Sequence, residues 1–158
     1  MASTSSHHYD GKAALLLDIV GAYLDDVAVV VARRPEGQAS DRLRAIVRGL
    51  FDLPVESRAV VRLALHDLRH LPDAEREAFG AEYHARFVGP LAEVVAEGVA
   101  SGEFAPREPK TVVWLLLGML YPFFSAHRAP DEDAVVADLV DVLLHGLTGP
   151  APSTGRLH

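Results

Sequence analysis

Two apolar stretches near the carboxyl end decide the fold of this chain: KTVVWLLLGMLYPFF at residues 110–124 and DEDAVVADLVDVLLHGL at residues 131–147. The first has almost no polar break, and a helix that is apolar on all sides must be covered on more than one side. A chain of 158 residues has too little remaining mass to cover both stretches completely. We therefore predict two helices that pack against a second copy of the chain. The alternative is that both helices fill the core of a monomer.

The composition is that of one folded domain without a membrane span. Hydrophobic residues make up 49% of the chain, which excludes a disordered protein. The longest apolar run falls short of the roughly 20 residues that a span requires. The amino-terminal residues lack a secretion signal, and the absence of cysteine excludes disulfides and thiolate metal sites. We therefore expect a cytoplasmic protein with no membrane contact.

The charge of the chain argues against DNA binding by this chain alone. The net charge is −7, whereas a duplex-binding surface needs clustered Lys and Arg to neutralise phosphates. Lys12 is the one lysine before Lys110, and the arginines are scattered along the chain. We expect weak or no binding to DNA.

Apolar periodicity predicts further helices ahead of the two apolar stretches, so the expected fold is all-α with about six helices. Ser40 and Asp73 are the expected N-caps of two of them. Pro90 lies in the middle of the longest predicted helix, where it removes a backbone donor and predicts a kink. The earlier helices are expected over residues 11–33, from Ser40 to the residues before Pro54, 55–68 and 73–101.

Two regions of the sequence contain motifs that are similar to those of one protein family. The stretch EVVAEGVASGEFAPREP at residues 93–109 is similar to the family's G-x-x-x-G-E-F junction, and LLLGML at residues 115–120 is another common family string. SHHYDGKAALL at residues 6–16 resembles Y-x-H-F-x-x-K-x-x-L, the end of the family's DNA-reading module, with Ser6 where Tyr is usual. The matching residues are Gly98, Gly102, Glu103 and Phe104 in the G-x-x-x-G-E-F motif, and His8, Tyr9, Lys12 and Leu15 in the second region. In this order and spacing the motifs resemble the TetR family of transcriptional repressors.

The resemblance implies a TetR-like C-terminal domain whose last two helices form a four-helix bundle with a second subunit, related by a twofold axis. The expected organisation is a remnant of the DNA-binding module or flexible start over residues 1–10, a ligand-binding and dimerisation domain over 11–149, and a flexible tail over 150–158. Most of the helix-turn-helix module would precede Met1, so DNA binding is expected only if that module is supplied. The remnant of its DNA contact would be His8, Tyr9 and Lys12. The predicted dimer interface is Leu116, Met119, Leu120, Val136, Leu139, Val140, Leu143 and Leu147.

Aromatic side chains from several helices can line an apolar pocket, with tyrosine hydroxyls and histidines as orienting groups. The alternative for each of them is ordinary core packing. The resemblance implies a cavity between the helices for a small lipophilic or acyl-CoA-like effector. The predicted ligand-binding residues are Phe51, His66, His70, Tyr83, Phe87, Trp114 and Tyr121, with Phe124 in the same aromatic set.

His66 and His70 lie four residues apart on one predicted helix, a spacing that suits metal ligands. Without a third ligand at a set spacing, they are more simply polar surface or pocket residues, and we predict no metal and no cofactor. The chain has no phosphate loop or nucleophile motif and is not expected to be an enzyme. The predicted function is an effector-sensing, dimerising domain of a TetR-like repressor. The alternative is a stand-alone interaction module that partners a full-length regulator.

Overall fold

A computed structural model describes residues 4–33, 36–124 and 130–150, with side chains from residue 11 onward except at 60, 61 and 63–65. Within these ranges every regular element is helical, as predicted. The α-helices are α1 (Thr4–Ala32), α2 (Ala39–Phe51), α3 (Val55–Asp67), α4 (Asp73–Tyr83), α5 (Gly89–Ala100), α6 (Pro109–Leu120) and α7 (Glu132–Thr148). Short 3-10 turns follow α3 (Leu68–His70) and α6 (Tyr121–Phe123), and a π turn (His84–Val88) joins α4 to α5.

The order of the helices is as predicted, but some ends differ. Helix α1 begins at Thr4 rather than at Gly11. The N-cap of α2 is Gln38 rather than Ser40, because the Gln38 backbone N–H donates to the Asp41 carboxylate and Ser40 lies in the first turn. Pro72 takes the cap position of α4, so Asp73 is its first residue.

The distortion predicted at Pro90 takes the form of a π turn. Pro90 has no backbone N–H to donate, and the turn immediately before it widens from α to π geometry. A side chain at Gly89 would bring its Cβ to 2.9 Å from the carbonyl oxygen of His84, so glycine suits this close approach. The long predicted helix is therefore two α-helical segments joined by a wider turn.

One main core holds the helices together. Side chains of α1, α2, α5, α6 and α7 meet there, and Val27, Val47, Leu91 and Val113 are fully buried in it. Helix α6 packs against α5, and α7 packs against α2. A smaller cluster of Val20, Leu68 and Leu71 joins α1 to the turn after α3.

The motif from Gly98 to Phe104 at the end of α5 connects this helix to the start of α2. The Glu103 carboxylate accepts hydrogen bonds from the backbone N–H groups of Ala39 at 2.9 Å and Ser40 at 3.0 Å, and from the Ser40 hydroxyl. The Phe104 ring lies against Gly98, where any Cβ would come within 2.2 Å of the ring. Gly102 has a φ of +79°, which glycine adopts at little cost. These contacts explain why the G-x-x-x-G-E-F motif has glycine, glutamate and phenylalanine at these positions.

Replacing Glu103 with alanine is expected to lower the free energy of unfolding by about 1–2 kcal/mol, the usual cost of losing a helix cap. Glutamine at this position keeps an acceptor oxygen and should cost less. Glu97 offers a matched control, since its carboxylate forms a half-exposed ion pair with Arg42 and its replacement should change little. Urea unfolding of the three variants measures the differences, and equal effects of the Glu103 and Glu97 changes to alanine would argue against the capping role.

Candidate functional site

Most of the predicted aromatic set meets in the interior of the domain. Phe51 and Phe87 are fully buried, and Tyr83 and Tyr121 are partly buried beside them. The Tyr83 ring meets that of Phe87 with centroids 5.4 Å apart, and Phe124 contacts Tyr121 at 5.8 Å and Phe51 at 5.5 Å. These edge-on contacts form two groups of rings, and the contact between the Tyr83 and Tyr121 hydroxyls joins the groups into one aromatic cluster.

Three tyrosine hydroxyls come together at one side of this cluster; we call Tyr23, Tyr83 and Tyr121 the tyrosine cluster. They come from α1, the end of α4 and the 3-10 turn after α6. The hydroxyl oxygens of Tyr83 and Tyr121 lie 2.5 Å apart, and the neighbouring Tyr121 adds to the burial that raises the pKa of Tyr23. Burial raises the pKa of each of these phenols above its ordinary value, so all three stay protonated in the folded protein at neutral pH. The spacing of apolar residues in the first helix places Tyr23 on its core face, and nothing in that pattern marks its hydroxyl as a neighbour of the other two.

The tyrosine cluster predicts a loss of stability at alkaline pH. An unfolded tyrosine loses its proton near pH 10.0, whereas the folded pKa of Tyr23 is higher because burial disfavours the phenolate. This stabilisation is complete below pH 10 and is lost as the pH rises above it, by up to about 1.4 kcal/mol per pH unit for each tyrosine. Urea unfolding between about pH 9 and pH 11 measures the slope. Tyr23→Phe should reduce the slope, and an unchanged slope would contradict the assignment.

A buried ion pair lies against the other side of the aromatic cluster. The Arg58 guanidinium is fully buried and donates to the Glu132 carboxylate at 3.2 and 3.3 Å. Its Cζ lies 5.6 Å from the ring centroid of Phe124 and 5.9 Å from that of Phe51. The Arg58 Nε has no hydrogen-bond partner among the described residues. This pair links α3 to the first residue of α7.

This ion pair is not among the residues predicted from the sequence, although the sequence contains a signal for it. Arg58 precedes Val61 by three residues and Leu65 by seven, so it lies in line with apolar positions of the predicted helix. A charge at such a position indicates a buried partner. The partner, Glu132, is far from Arg58 in the sequence, so only the tertiary fold shows which carboxylate pairs with this arginine.

The other predicted ligand-binding residues lie away from the aromatic cluster. His66 is exposed, with its Nδ1 3.4 Å from the Asp67 carboxylate, and Trp114 projects from the outer side of α6. His70 borders a hollow of about 150 Å³ between α1 and the turn after α3, and Lys12 lies on the opposite wall. The side chains of His8 and Tyr9 lie outside the described residues.

The histidine pair does not gain a third metal ligand in the structure. The imidazole centroids of His66 and His70 are 6.4 Å apart. Among the side chains that the structure describes, no group of three or more His, Asp or Glu residues is placed to hold a metal ion. The geometry therefore gives the metal hypothesis no support beyond the spacing.

The predicted interface residues mostly face the inside of the chain. Met119 is partly exposed, whereas the other side chains are already buried within one chain. These buried residues are Leu116, Leu120, Val136, Leu139, Val140, Leu143 and Leu147. They belong to the core of the chain because α6 and α7 pack this side onto α5 and α2.

A different side of the same two helices is exposed and apolar. Leu115 and Val142 are each 61% exposed, and Trp114 and Phe123 are about half exposed. A groove of about 410 Å³ runs between the helices on this side, lined by Gly118, Met119, Pro122, Phe123, Val135, Asp138, Leu139 and Val142. We call these exposed side chains and the groove the α6–α7 face. Exposed apolar surface of this kind usually marks a contact site.

Comparison with known proteins agrees with this architecture. The family model described as "Tetracyclin repressor-like, C-terminal domain" matches residues 36–147. The chain belongs to the TetR family. A curated TetR-like relative, the HTH-type transcriptional repressor KstR2 of Rhodococcus jostii (strain RHA1), is 24% identical over an alignment of 156 residues, and the match covers 91% of this chain and 74% of the relative. No solved structure matches the chain.

Membership of the TetR family gives this domain a role in transcription regulation, and the family consists of regulators rather than enzymes. The all-α fold is that of a TetR-like C-terminal domain. None of its described helices combines the length and the apolar character that crossing a bilayer demands.

Proposed function

We propose that this chain is the effector-sensing, dimerising domain of a TetR-like transcriptional repressor that acts in the cytoplasm. The observation that carries the proposal is the aromatic cluster with three tyrosine hydroxyls gathered from α1, α4 and the end of α6. Apolar walls with a few convergent polar groups are the usual composition of a small-molecule site. Family membership supports a regulatory use of such a site.

The proposed effector is a small lipophilic or acyl-CoA-like molecule held between the helices. The rings of Phe51, Phe87 and Phe124 are fully buried, so the effector would separate the helices to contact them, with the tyrosine cluster as polar anchor at one end. Of the predicted ligand residues, Phe51, Tyr83, Phe87 and Tyr121 remain in this proposal. His66, His70 and Trp114 lie too far to the outside to share the site.

The effector would act by favouring one position of α1. This helix carries Tyr23 and begins at Thr4, and its first turns contain residues 6–16, the segment that resembles the end of a DNA-reading module. A ligand shifts such an equilibrium only by its difference in affinity for the two positions. The π turn at His84–Val88 adjoins Tyr83, and π turns occur often at functional sites, so it is the proposed point of adjustment.

A second copy of the chain is the proposed partner of the α6–α7 face. Leu115, Phe123 and Val142 are large apolar side chains exposed in one chain, and family proteins use the corresponding helices for a twofold contact. The proposed dimer contact uses the same two helices, α6 and α7, as the sequence-based prediction, but it lies on their exposed outer side. Of the residues named from the sequence, Met119 and Leu139 line the groove.

DNA binding is proposed only for a protein that carries the helix-turn-helix module as well. In the described part of the chain, arginines are largely engaged by acidic groups: Arg42 with Glu97, Arg76 with Asp73, and Arg86 with Asp25. Such pairs leave little positive surface for phosphates.

Thermal unfolding with a panel of lipophiles and acyl-CoA molecules tests the effector proposal. A ligand present at about a hundred times its Kd should raise Tm by roughly 5–10 °C, because it stabilises the folded chain by about 2.7 kcal/mol. Decanoyl-CoA, decanoic acid and 2-undecanone are suitable first probes. Free coenzyme A is the matched control for decanoyl-CoA, because it shows how much of the Tm shift comes from the nucleotide portion alone. No shift with any apolar probe would contradict effector binding.

A further inference from the structure

We propose that Trp114 of each copy occupies the groove of the other copy's α6–α7 face and donates its indole N–H to Asp138 of the partner subunit. This inference rests on the proposed dimer and specifies the side chains that hold it together. Its basis is the shape and the chemistry of the α6–α7 face.

Trp114 is a large exposed side chain with one hydrogen-bond donor. The residue is 56% exposed on the outer side of α6, and its indole N–H has no hydrogen-bond partner among the described residues. This N–H can only donate. Tryptophan is one of the residues that most often fill a pocket at the centre of a protein interface. Trp114 therefore has the size and the polarity of an anchor side chain.

The groove of the α6–α7 face offers a matching acceptor. Asp138 is the one charged side chain among the described residues that line this space of about 410 Å³. Its carboxylate forms no hydrogen bond or ion pair with the part of the chain that the structure describes. A second copy lying on the groove would remove water from this carboxylate, which is costly unless a donor replaces the water. Among the exposed apolar side chains of this face, only Trp114 carries an N–H donor.

Gly118 leaves room in the wall of the groove that a single chain does not use. A Cβ at this position would meet no described atom within 4 Å, so packing within the chain does not require glycine there. At Gly98, by contrast, the Phe104 ring leaves no room for a Cβ. Glycine inside a helix is less favourable than alanine. A side chain of a second copy over Gly118 gives this open space a use.

A twofold axis lets both copies make the contact at once. In a twofold contact each of two residues meets the other in return, so the anchor and its groove must lie on the same face of one chain. Trp114 and Gly118 fulfil this condition, since residues four apart share one side of a helix. Four residues of α-helix rise about 6 Å. An axis that crosses α6 halfway between the two residues would therefore bring each Trp114 level with Gly118 of the partner subunit.

The fluorescence of Trp114 tests the contact directly, because it is the single tryptophan of the chain. The protein concentration is raised through the dimer Kd, which sedimentation velocity locates on the same samples. The emission should move to shorter wavelength and quenching by acrylamide should fall, because the indole leaves water as the dimer forms. A dimer whose emission and quenching remain those of the monomer would overturn the proposal.

Gly118→Leu should block the groove without harming the single chain. The space at Gly118 accepts a side chain within one chain, so the circular dichroism spectrum should remain helical. The dimer Kd should rise at least about a hundredfold, the effect of losing a central anchor in both halves of the contact. Gly80→Leu is the matched control, because Gly80 also has open space around it but lies on α4. A Gly118→Leu protein that dimerises as tightly as this control would contradict the proposal.

A double-mutant cycle tests the hydrogen bond itself. Trp114→Phe keeps an aromatic ring without the N–H, and Asp138→Ala removes the acceptor. Each change should raise the dimer Kd at least about tenfold. The double variant should raise it by clearly less than the product of the two single effects, whereas effects that multiply would show that the side chains do not meet. Asp141→Ala is the control, because Asp141 lines a different groove, between α2 and α7, and should leave the Kd unchanged.

Lys110→Met belongs in the same cycle. Lys110 lies one turn before Trp114 on the same side of α6 and is a second donor that Asp138 of the partner subunit could meet. Coupling of Asp138 to Lys110 in place of Trp114 would overturn the proposal. The dimer itself would still stand in that case, as it would if Trp114 stayed exposed in it. A protein that sediments as a monomer at every concentration would overturn the dimer and this contact together.

Discussion

Replacement of Glu132 by leucine is expected to lower the free energy of unfolding by about 3–5 kcal/mol, because it leaves the fully buried Arg58 guanidinium without its carboxylate partner. The rings of Phe51 and Phe124 lie near this cation but cannot replace a counter-ion. Denaturant unfolding monitored by circular dichroism measures the loss. In the absence of denaturant the circular dichroism spectrum of this variant should remain helical.

The double variant with Arg58→Met as well separates an ion-pair effect from a packing effect. It removes both charges and fills the space with apolar atoms, so most of the lost stability should return. Asp133→Leu is the matched control, because Asp133 lies beside Glu132 at the start of α7 and pairs with Arg48 at the exposed surface. That change should have little effect. A double variant as unstable as Glu132→Leu would contradict the account of the pair.

The double variant Leu115→Glu, Val142→Glu is expected to separate the proposed dimer into monomers. Both residues are 61% exposed in one chain, so the changes should cost the monomer little. A twofold contact repeats each new charge in both subunits and buries it without a partner. We expect the dimer Kd to rise by at least about a hundredfold, corresponding to several kcal/mol of repulsion and desolvation. Sedimentation velocity over a concentration series measures the change.

Val29→Glu is the control for this double variant. Val29 is 54% exposed but lies on α1, away from the α6–α7 face. It adds the same kind of charge and should leave the association unchanged. If Val29→Glu dissociates the dimer as strongly, or if the α6–α7 variant leaves it intact, the contact is not on the proposed face.

Local sequence patterns were sufficient for the order of the helices and for much of the core. The α2 stripe of Leu43, Ile46, Val47 and Leu50 is buried as its spacing indicates. Patterns could not show which side of α6 and α7 faces inward, because these helices have apolar residues on both sides. Leu116 and Leu115 are adjacent and equally apolar, yet one is 1% exposed and the other 61%.

The candidate site was only partly predictable for a similar reason. Tyr83 and Tyr121 were named because aromatic residues between helices often line pockets, whereas Tyr23 looked like any core residue of α1. The meeting of the three hydroxyls depends on how α1, α4 and the turn after α6 pack. The Arg58–Glu132 pair likewise spans elements far apart in sequence. Local patterns contain no information on such distant partners.

Sedimentation equilibrium of the unmodified protein tests the central claim most directly, that a second copy covers the α6–α7 face. The chain has a mass of 17.1 kDa, so the account predicts about twice that mass at concentrations of about a micromolar and above. The surface of Trp114, Leu115, Phe123 and Val142 would then be hidden between subunits. A mass of 17.1 kDa up to about a hundred micromolar would contradict the dimer and the regulatory account that depends on it.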